Sequence, residues 1–340
     1  MARSTHHDLP ADVPLCAVRR GGLIESFHRG RYVVCGARGE VLESGGDPGG
    51  YVSLRSAAKP LQALPVVTSG AAAAFGLSAR ELAVVCGSHN GEDGHLSAVR
   101  SILEKAGLSE RDLQSGAHPP LHAPSADRLR RSGERPRPLH GNCSGKHAGM
   151  LAVSVHEGWE TGSYRSPDHP VQRLALGVVA GVCNVEPDRI SLANDGCGVP
   201  AFALPLGSLA AGFARLASGR NLPGELEAAA GEVRAAMGEY PWMVAGTGRF
   251  DTQLMQETGL VAKGGAEGVL AVGSPDGWGL AIKVSDGSGR AVAPVACSLL
   301  RRRGIELPER AEDRELANLH GEVVGEMLPL VREAAGEGST

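Results

Sequence analysis

The sequence has few aromatic residues, no long hydrophobic run and no strong excess of charge. Phe, Trp and Tyr make up only 4% of the 340 residues, so the core must be built mainly from Ala, Val and Leu. No stretch approaches the roughly 18–20 uninterrupted apolar residues of a membrane span. The polar start MARSTHHDLPADVP lacks the apolar segment of a secretion signal. A formal net charge of −4 gives no reason to expect nucleic acid or an anionic membrane as a partner.

The cysteines do not suggest a disulfide framework. There are seven of them, an odd number, spread over a long chain without a secretion signal. Such cysteines are typically buried, reduced thiols. Together these features predict a cytoplasmic protein.

Strand-like segments lie at both ends of the sequence, and helical patterns lie between them. Short β-like runs separated by glycine-rich turns occupy residues 15–44. A second β-rich block, LVAK, VLAVGS, GLAIKVS and AVAPVA, occupies residues 259–296. Between about residues 56 and 217, apolar residues recur at helical spacing, as in 96–103 and 174–182. We therefore predict an α+β fold in which both ends of the chain complete one sheet and a helical middle lobe covers it.

The predicted sheet domain comprises residues 14–55 and 245–330, and the mainly helical lobe comprises residues 56–244. Residues 1–13 and 332–340 are predicted to be flexible. The tail after position 308 is charged, and its apolar residues fit a helix, although two glycines weaken that prediction. These apolar residues are Leu316, Leu319, Val323 and Met327.

Ser56-Ala-Ala-Lys59 is the first motif with catalytic potential. On a helix, residues i and i+3 share a face, so the Lys59 amine can lie against the Ser56 hydroxyl. A serine hydroxyl needs a base within hydrogen-bonding reach, and a lysine serves as one only where burial lowers its pKa. A Ser-x-x-Lys motif alone is a weak indication, because most are a cap followed by a surface lysine. Pro60 and Pro65 predict an irregular first turn and a kink.

Two further segments complete an ordered set of three motifs. Cys86-Gly-Ser88-His-Asn90 contains Ser-x-Asn, and Lys263-Gly-Gly ends a strand-like run. Serine β-lactamases and penicillin-binding proteins carry Ser-x-x-Lys, Ser-x-Asn and Lys-Thr-Gly in this order. Here the third motif lacks its Thr. Taken singly, Ser88 fits a turn-forming hydroxyl and Lys263 a solvated strand end, but the three motifs together favour a serine–lysine hydrolase.

Two cysteines lie in polar, glycine-punctuated loops, HGNCSGKH (140–147) and NDGCG (194–198). A soft divalent metal such as zinc suits the two thiolates together with Lys146 or His147. By chemistry alone His147 is the better ligand, because a lysine must lose its proton before it coordinates a metal. Two unrelated thiols or a Cys–Cys bond are the alternatives.

Segments throughout the chain closely resemble the rhizobial-type L-asparaginases, also called the asparaginase II family. The resemblance covers about residues 14–330, and its most specific segments are NCSGKHAGML (142–151) and KGGAEGV (263–269). The other matching segments are RSAAKPLQ, CGSHNGE, DHPVQ, NDGCGVPAFALPL and AGTGRFDTQLM. The resemblance implies a fold similar to serine β-lactamases and glutaminases, an L-asparaginase activity and a homodimer.

The resemblance also implies the catalytic residues. Ser56 and Lys59 match the family's nucleophile and its lysine base, and Ser88 and Lys263 match a second Ser–Lys pair beside it. Asn90 departs from the family, because members commonly have Ser at this position. Because two neighbouring lysines depress each other's pKa, activity should favour neutral to alkaline pH.

The metal ligands and the substrate pocket follow from the same resemblance. Cys143, Lys146 and Cys197 match a zinc site in which lysine is a ligand, and this overrules the preference for His147. The residues that match the lining of the substrate pocket are Arg55, His147 and Asp195. In this hypothesis Arg55 holds the carboxylate of asparagine and Asp195 holds its ammonium group.

The implied reaction is hydrolysis of L-asparagine to L-aspartate and ammonia through an ester on Ser56. Two other functions fit part of the pattern. A β-lactamase or penicillin-recognising hydrolase carries the same three motifs, but the absence of an export signal and the NCSGKHAGML segment argue against it. A catalytically weak zinc- or amino-acid-binding protein is the second alternative.

Overall fold

A computed structural model describes residues 9–308 and 314–331, and the predicted flexibility of residues 1–8 and 332–340 lies outside this part of the chain. The strands are β1 (Val13–Arg20), β2 (Leu23–Gly36), β3 (Val41–Gly45), β4 (Tyr51–Ser53), β5 (Ser191–Asn194), β6 (Pro200–Pro205), β7 (Val261–Gly265), β8 (Val269–Gly273), β9 (Trp278–Val284), β10 (Glu315–Ala317) and β11 (Val323–Pro329). The helices are α1 (Lys59–Thr68), α2 (Ala71–Ala74), α3 (Ala79–Val85), α4 (Asp93–Lys105), α5 (Ala123–Arg131), α6 (Ser144–His156), α7 (Pro170–Cys183), α8 (Leu206–Ser218), α9 (Gly224–Glu239), α10 (Pro241–Val244), α11 (Phe250–Thr258) and α12 (Val292–Arg302).

The main sheet is antiparallel and joins strands from both ends of the chain. Its order is β10-β11-β1-β2-β9-β8-β7, and β3 pairs with the second half of the long β2. On β1, Val18 lies opposite Met327 of β11, and on β2, Val33 lies opposite Ala281 of β9. The prediction of an α+β fold whose sheet is completed by both ends of the chain is therefore confirmed.

Helices cover this sheet and bury its central strands. Helix α8 packs against β2, β8 and β9, and α12 packs against β1, β9 and β11. Strands β8 and β9 are consequently buried along nearly their whole length, which explains their largely apolar sequences VLAVG and WGLAIKV.

The remaining helices form a lobe beside the sheet. The apolar patterns at 96–103 and 174–182 lie in α4 and α7, as predicted. A small sheet of order β4-β6-β5 lies in this part of the molecule, and its strand β4 leads directly into the segment that carries Ser56. The residue boundaries predicted for the two domains stay a prediction. Within the described residues, no helix has the length and apolar character needed to cross a bilayer.

Two predictions of secondary structure were wrong. The segment AVAPVA, predicted as a strand, contains the start of helix α12. Pro294 lies in the first turn of α12, where no backbone N–H is needed, so the helix accepts it.

The tail after position 308, predicted as a helix, instead contributes β10 and β11. Gly321 has φ +81° and forms the turn between the two strands. The free edge of β1 offers hydrogen bonds to β11, and Met327 is buried there.

Candidate active site

Ser56 lies on a short 3₁₀ turn, Arg55–Ala58, that leads into α1. This turn is the irregular first turn that Pro60 and Pro65 predicted. Its residue Arg55 has φ +47°, in the left-handed region, where a residue other than glycine costs about 1–3 kcal/mol. An ion pair holds it there, because Arg55 Nε donates to Asp195 Oδ1 at 2.9 Å.

Lys59 is fully buried at the start of α1. Its Nζ donates to Ser88 Oγ at 2.8 Å and to the Asn142 carbonyl at 3.3 Å. Burial lowers the pKa of Lys59 to about 8; the charge of Cys143 opposes this shift, whereas the charges of neighbouring lysines add to it. A lysine in this state is available as a neutral amine near pH 8.

Ser56 and Ser88 therefore differ in their contacts. Ser88 follows α3, and two hydrogen bonds fix its position. Its N–H donates to the Val244 carbonyl at 2.8 Å, and its hydroxyl accepts from Lys59 Nζ. Within residues 9–308 and 314–331 the Ser56 hydroxyl makes no hydrogen bond, and it lines a cleft. The direct partner of Lys59 is thus Ser88, and the hydroxyl of Ser56 is free to meet a substrate.

Lys263, which is fully buried on β7, is paired with a carboxylate. Its Nζ donates to Asp251 Oδ2 at 3.0 Å and to the Gly264 carbonyl at 2.8 Å, and Asp251 also accepts from the Gly264 N–H at 2.9 Å. Burial raises the pKa of Asp251, but the Lys263 charge, this N–H and the Arg249 charge together lower it below its ordinary value. Asp251 is thus a carboxylate held by Lys263.

The cleft beside Ser56, called the Ser56 cleft below, has a volume of about 310 Å³. Its lining combines polar and apolar side chains. Its lining includes Ser56, Ser88, Asn142, Arg249, Phe250, Asp251, Gly264, Gly265, Val269, Leu270, Val292 and Ala293.

Two cysteines and a lysine form a second cluster next to Lys59. Lys146 Nζ donates to Cys197 Sγ at 3.3 Å, and the Cys197 side chain interacts with that of Cys143. This interaction with Cys197, helped by the charges of Lys59 and Lys146, lowers the pKa of Cys143 well below its ordinary value, although burial opposes the shift. The same interaction and burial raise the pKa of Cys197. The direction of both shifts favours the negative charge on Cys143.

Helix packing fixes this cluster. Gly145 lies between Cys143 and Lys146 at the start of α6. A Cβ at this position would lie 2.2 Å from the Val84 carbonyl oxygen of α3. Only glycine lets α6 approach α3 so closely, and this approach sets the position of Lys146.

The cluster suits zinc, which prefers thiolate and nitrogen donors. Within the described residues there is no group of three or more His, Cys, Asp or Glu arranged to hold a metal. The resemblance gives the amine of Lys146 as the third donor. Although burial lowers the pKa of Lys146, the two cysteines and Asp195 raise it overall, so this amine must give up a proton to bind zinc.

Asp195 connects the cluster to Arg55. Its Oδ1 accepts from Arg55 and from the Gly196 N–H at 2.8 Å, and its Oδ2 lies 4.0 Å from Lys146 Nζ. Burial raises the pKa of Asp195, but the Lys146 charge, the Gly196 N–H and Arg55 lower it overall. Asp195 is therefore a carboxylate with two cationic neighbours.

His147 is fully buried beside Lys146 on α6. Its Nδ1 is hydrogen-bonded to the Tyr164 hydroxyl at 2.6 Å, and Nε2 has no partner among the described residues. Burial, followed by the charges of Lys146 and Lys59, lowers the pKa of His147 well below its ordinary value. The imidazole is neutral, with one nitrogen left for another group.

The structure thus brings most of the predicted site residues into one polar network. It runs in the order Ser88, Lys59, Cys143, Cys197, Lys146, Asp195 and Arg55. Lys263 lies outside this network and is paired with Asp251, which lines the Ser56 cleft. Sequence reasoning missed Asp251, Arg249 and Tyr164. The first two lie in the segment AGTGRFDTQLM, whose resemblance to the family was the one available signal.

Comparisons with known proteins agree with the resemblance. A sequence profile of a family described as L-asparaginase II matches residues 16–329. No curated protein sequence matched the chain.

Among solved structures, Mglu in its native form is 16% identical, with a TM-score of 0.44, over 83% of this chain and 66% of Mglu. The chain thus spans just under two thirds of the length of Mglu. A probable glutaminase from Bacillus subtilis, complexed with 6-diazo-5-oxo-L-norleucine, is 11% identical, with a TM-score of 0.38, over 82% of this chain and 85% of that one. At such low values these similarities give no information on activity.

Proposed function

The chain belongs to the L-asparaginase II family and is an amidohydrolase, and from this premise we propose that it hydrolyses L-asparagine to L-aspartate and ammonia through an ester on Ser56. The observation that carries the proposal is the environment of Lys59. A fully buried lysine with a pKa of about 8 lies one turn after Ser56 and donates to Ser88 at 2.8 Å. Such a lysine is suited to act as a general base.

The first step forms the ester. Lys59 Nζ in its neutral form accepts the Ser56 proton, directly or through the Ser88 hydroxyl that it contacts. Ser56 Oγ attacks the carbon of the side-chain amide, and backbone N–H groups of the Ser56 cleft stabilise the oxyanion. The C–N bond then breaks, and the leaving nitrogen takes the proton from Lys59, giving ammonia and an aspartyl ester.

The second step releases the product. Water gives a proton to neutral Lys59 Nζ and attacks the ester carbon. The C–O bond to Ser56 Oγ breaks, the hydroxyl recovers its proton from Lys59, and L-aspartate leaves. Lys263, paired with Asp251, supplies a fixed positive charge near Lys59, and this charge helps to keep Lys59 neutral.

We also propose that Cys143, Lys146 and Cys197 hold zinc. Bound there, zinc would supply a structural cross-link between the residues at the start of α6 and Cys197, beside Lys59 and Asp195. Loading of zinc is measurable by metal analysis, and the double change Cys143→Ser and Cys197→Ser should remove it. The predictions of a homodimer and of a cytoplasmic location stay predictions.

The proposal is tested by measuring ammonia and aspartate released from L-asparagine. Wild-type protein should release them in equal amounts. Ser56→Ala should lower kcat by a factor on the order of 10⁴ or more, because the nucleophile is lost. Ser125→Ala is the matched control, because Ser125 is buried and does not line the Ser56 cleft. This variant should hydrolyse asparagine as well as the wild type does. Equal activity of Ser56→Ala and wild type contradicts the proposal, and hydrolysis of a β-lactam in place of asparagine favours the alternative.

A further inference from the structure

Charged groups close to Ser56 are mostly matched by an opposite charge. Asp251 is paired with Lys263 at 3.0 Å, and Arg55 is paired with Asp195 at 2.9 Å. Arg249 has no such ion pair within the described residues. It lines the Ser56 cleft, and within the described residues no carboxylate oxygen lies within 4.0 Å of its guanidinium. Its charge acts on Asp251, but that carboxylate is already bonded to Lys263, so among the described residues the cleft contains a guanidinium with no carboxylate in direct contact.

A neutral amide holds the Arg249 side chain. Arg249 Nη1 donates to Asn90 Oδ1 at 3.1 Å, and Asn90 is itself buried. An amide orients a guanidinium without neutralising it, and it leaves the other N–H groups of the fork available. A carboxylate is the group whose geometry matches such a fork.

The backbone before Arg249 is also fixed. Thr247 donates through its N–H and its hydroxyl to the two oxygens of Glu92, at 2.9 and 2.8 Å. Asn90 Nδ2 donates to the Thr247 carbonyl at 3.0 Å. Gly246 has φ +117°, and a Cβ there would lie 2.7 Å from Asn90 and Glu92. The segment is therefore held in place before any ligand arrives, which lowers the entropic cost of binding.

We infer that Arg249 binds the α-carboxylate of the substrate in the Ser56 cleft and that Asn90 positions its guanidinium. This inference rests on the proposed function and assigns to Arg249 the role that the resemblance gave to Arg55. Arg55 already donates to Asp195 and lies outside the lining of the cleft. The substrates are accordingly amides that also carry a carboxylate.

The test compares two substrates that differ only in the proposed contact. They are L-asparagine and L-aspartic acid diamide, in which an amide replaces the α-carboxylate; hydrolysis of the side-chain amide is followed by chromatography of the products. Arg249→Met should lower kcat/KM for asparagine by at least about thirtyfold, because a charged hydrogen-bonding partner is lost. For the diamide the change should stay within about threefold, since that substrate never made the contact.

Two further variants separate a positioning role from a binding role. Asn90→Ala should raise KM for asparagine with little change in kcat, and it should leave both parameters for the diamide nearly unchanged. Arg55→Met is the matched control for loss of a nearby arginine and should not selectively affect asparagine. Equal losses for both substrates in Arg249→Met overturn the inference, and so does a selective loss of asparagine hydrolysis in Arg55→Met.

Binding of L-aspartate distinguishes failure of the inference from failure of the proposed function. L-Aspartate, at equal concentration, should raise the Tm of the wild type but not that of Arg249→Met. If wild-type protein releases no ammonia but shows this difference in Tm, the proposed function fails and the carboxylate site stands. If L-aspartate raises the Tm of neither protein, or of both equally, the inference is wrong.

Discussion

Two fully buried lysines lie behind residues that line the Ser56 cleft: Lys59 behind Ser88, and Lys263 behind Asp251. Lys59 donates to a neutral hydroxyl, that of Ser88, whereas Lys263 donates to the carboxylate of Asp251. A lysine beside a hydroxyl can lose its proton at moderate pH, but a lysine in a buried ion pair is stabilised as a cation. In the proposed reaction the two lysines therefore have different roles, one as base and the other as a fixed charge.

This difference predicts that replacing each lysine by arginine changes kcat to a different extent. Lys59→Arg should lower kcat by about 10²–10⁴, because a guanidinium does not act as a base at working pH. Lys263→Arg should lose much less, since arginine maintains the ion pair with Asp251. Lys105→Arg, at an ion pair with Glu81 outside the Ser56 cleft, is the control and should behave as wild type. Steady-state kinetics, with thermal unfolding to verify folding, measures the effect; equal losses at the two buried lysines contradict these roles.

At the residue scale the sequence predicted side chains that belong to short motifs. Ser56, Ser88 and Lys59 were found through motif order, and the structure brings Lys59 to Ser88. Asp251 could not be found in this way, because only the packing of α11 against β7 shows that its partner is Lys263. The catalytic and binding roles themselves stay predictions.

At the scale of elements, the packing of α6 on α3 positions the cysteine–lysine cluster. Gly145→Ala places a Cβ 2.2 Å from the Val84 carbonyl oxygen, so the helices must separate. We expect a loss of about 1–3 kcal/mol in the free energy of unfolding and weaker zinc binding. Gly177→Ala on α7, which has open space around its Cβ, should instead stabilise by about 0.5–1 kcal/mol. Chemical denaturation measures both, and equal effects of the two changes would refute the packing argument.

The errors in predicting elements have a common physical origin. AVAPVA has no local feature that separates a buried strand from the first turn of a buried helix, because both are continuous apolar runs. The tail has an apolar spacing that suits a helix, but pairing with β1 gives its backbone hydrogen bonds that no local pattern reveals. Helices α4 and α7 were predicted correctly, because the amphipathic spacing of their apolar residues is a local pattern that the sequence shows directly.

At the scale of the whole molecule, the C-terminal strand closes the sheet against the N-terminal strand. Met327 on β11 is 1% exposed and lies opposite Val18. Met327→Ala should therefore reduce the free energy of global unfolding by about 2–4 kcal/mol. Val323→Ala on the same strand, where the side chain is 59% exposed, should change it by less than about 0.5 kcal/mol. If Met327→Ala leaves global unfolding unchanged in urea, β11 is not part of the cooperative fold.

The central claim is that an ester forms on Ser56, although Lys59 contacts Ser88 directly. The most direct measurement is to stop the reaction with asparagine by acid and to locate the aspartyl group by peptide mass spectrometry. The account predicts the aspartyl group on the peptide that contains Ser56, and its absence in Ser56→Ala. An aspartyl group on Ser88, or full ammonia release by Ser56→Ala, would contradict it.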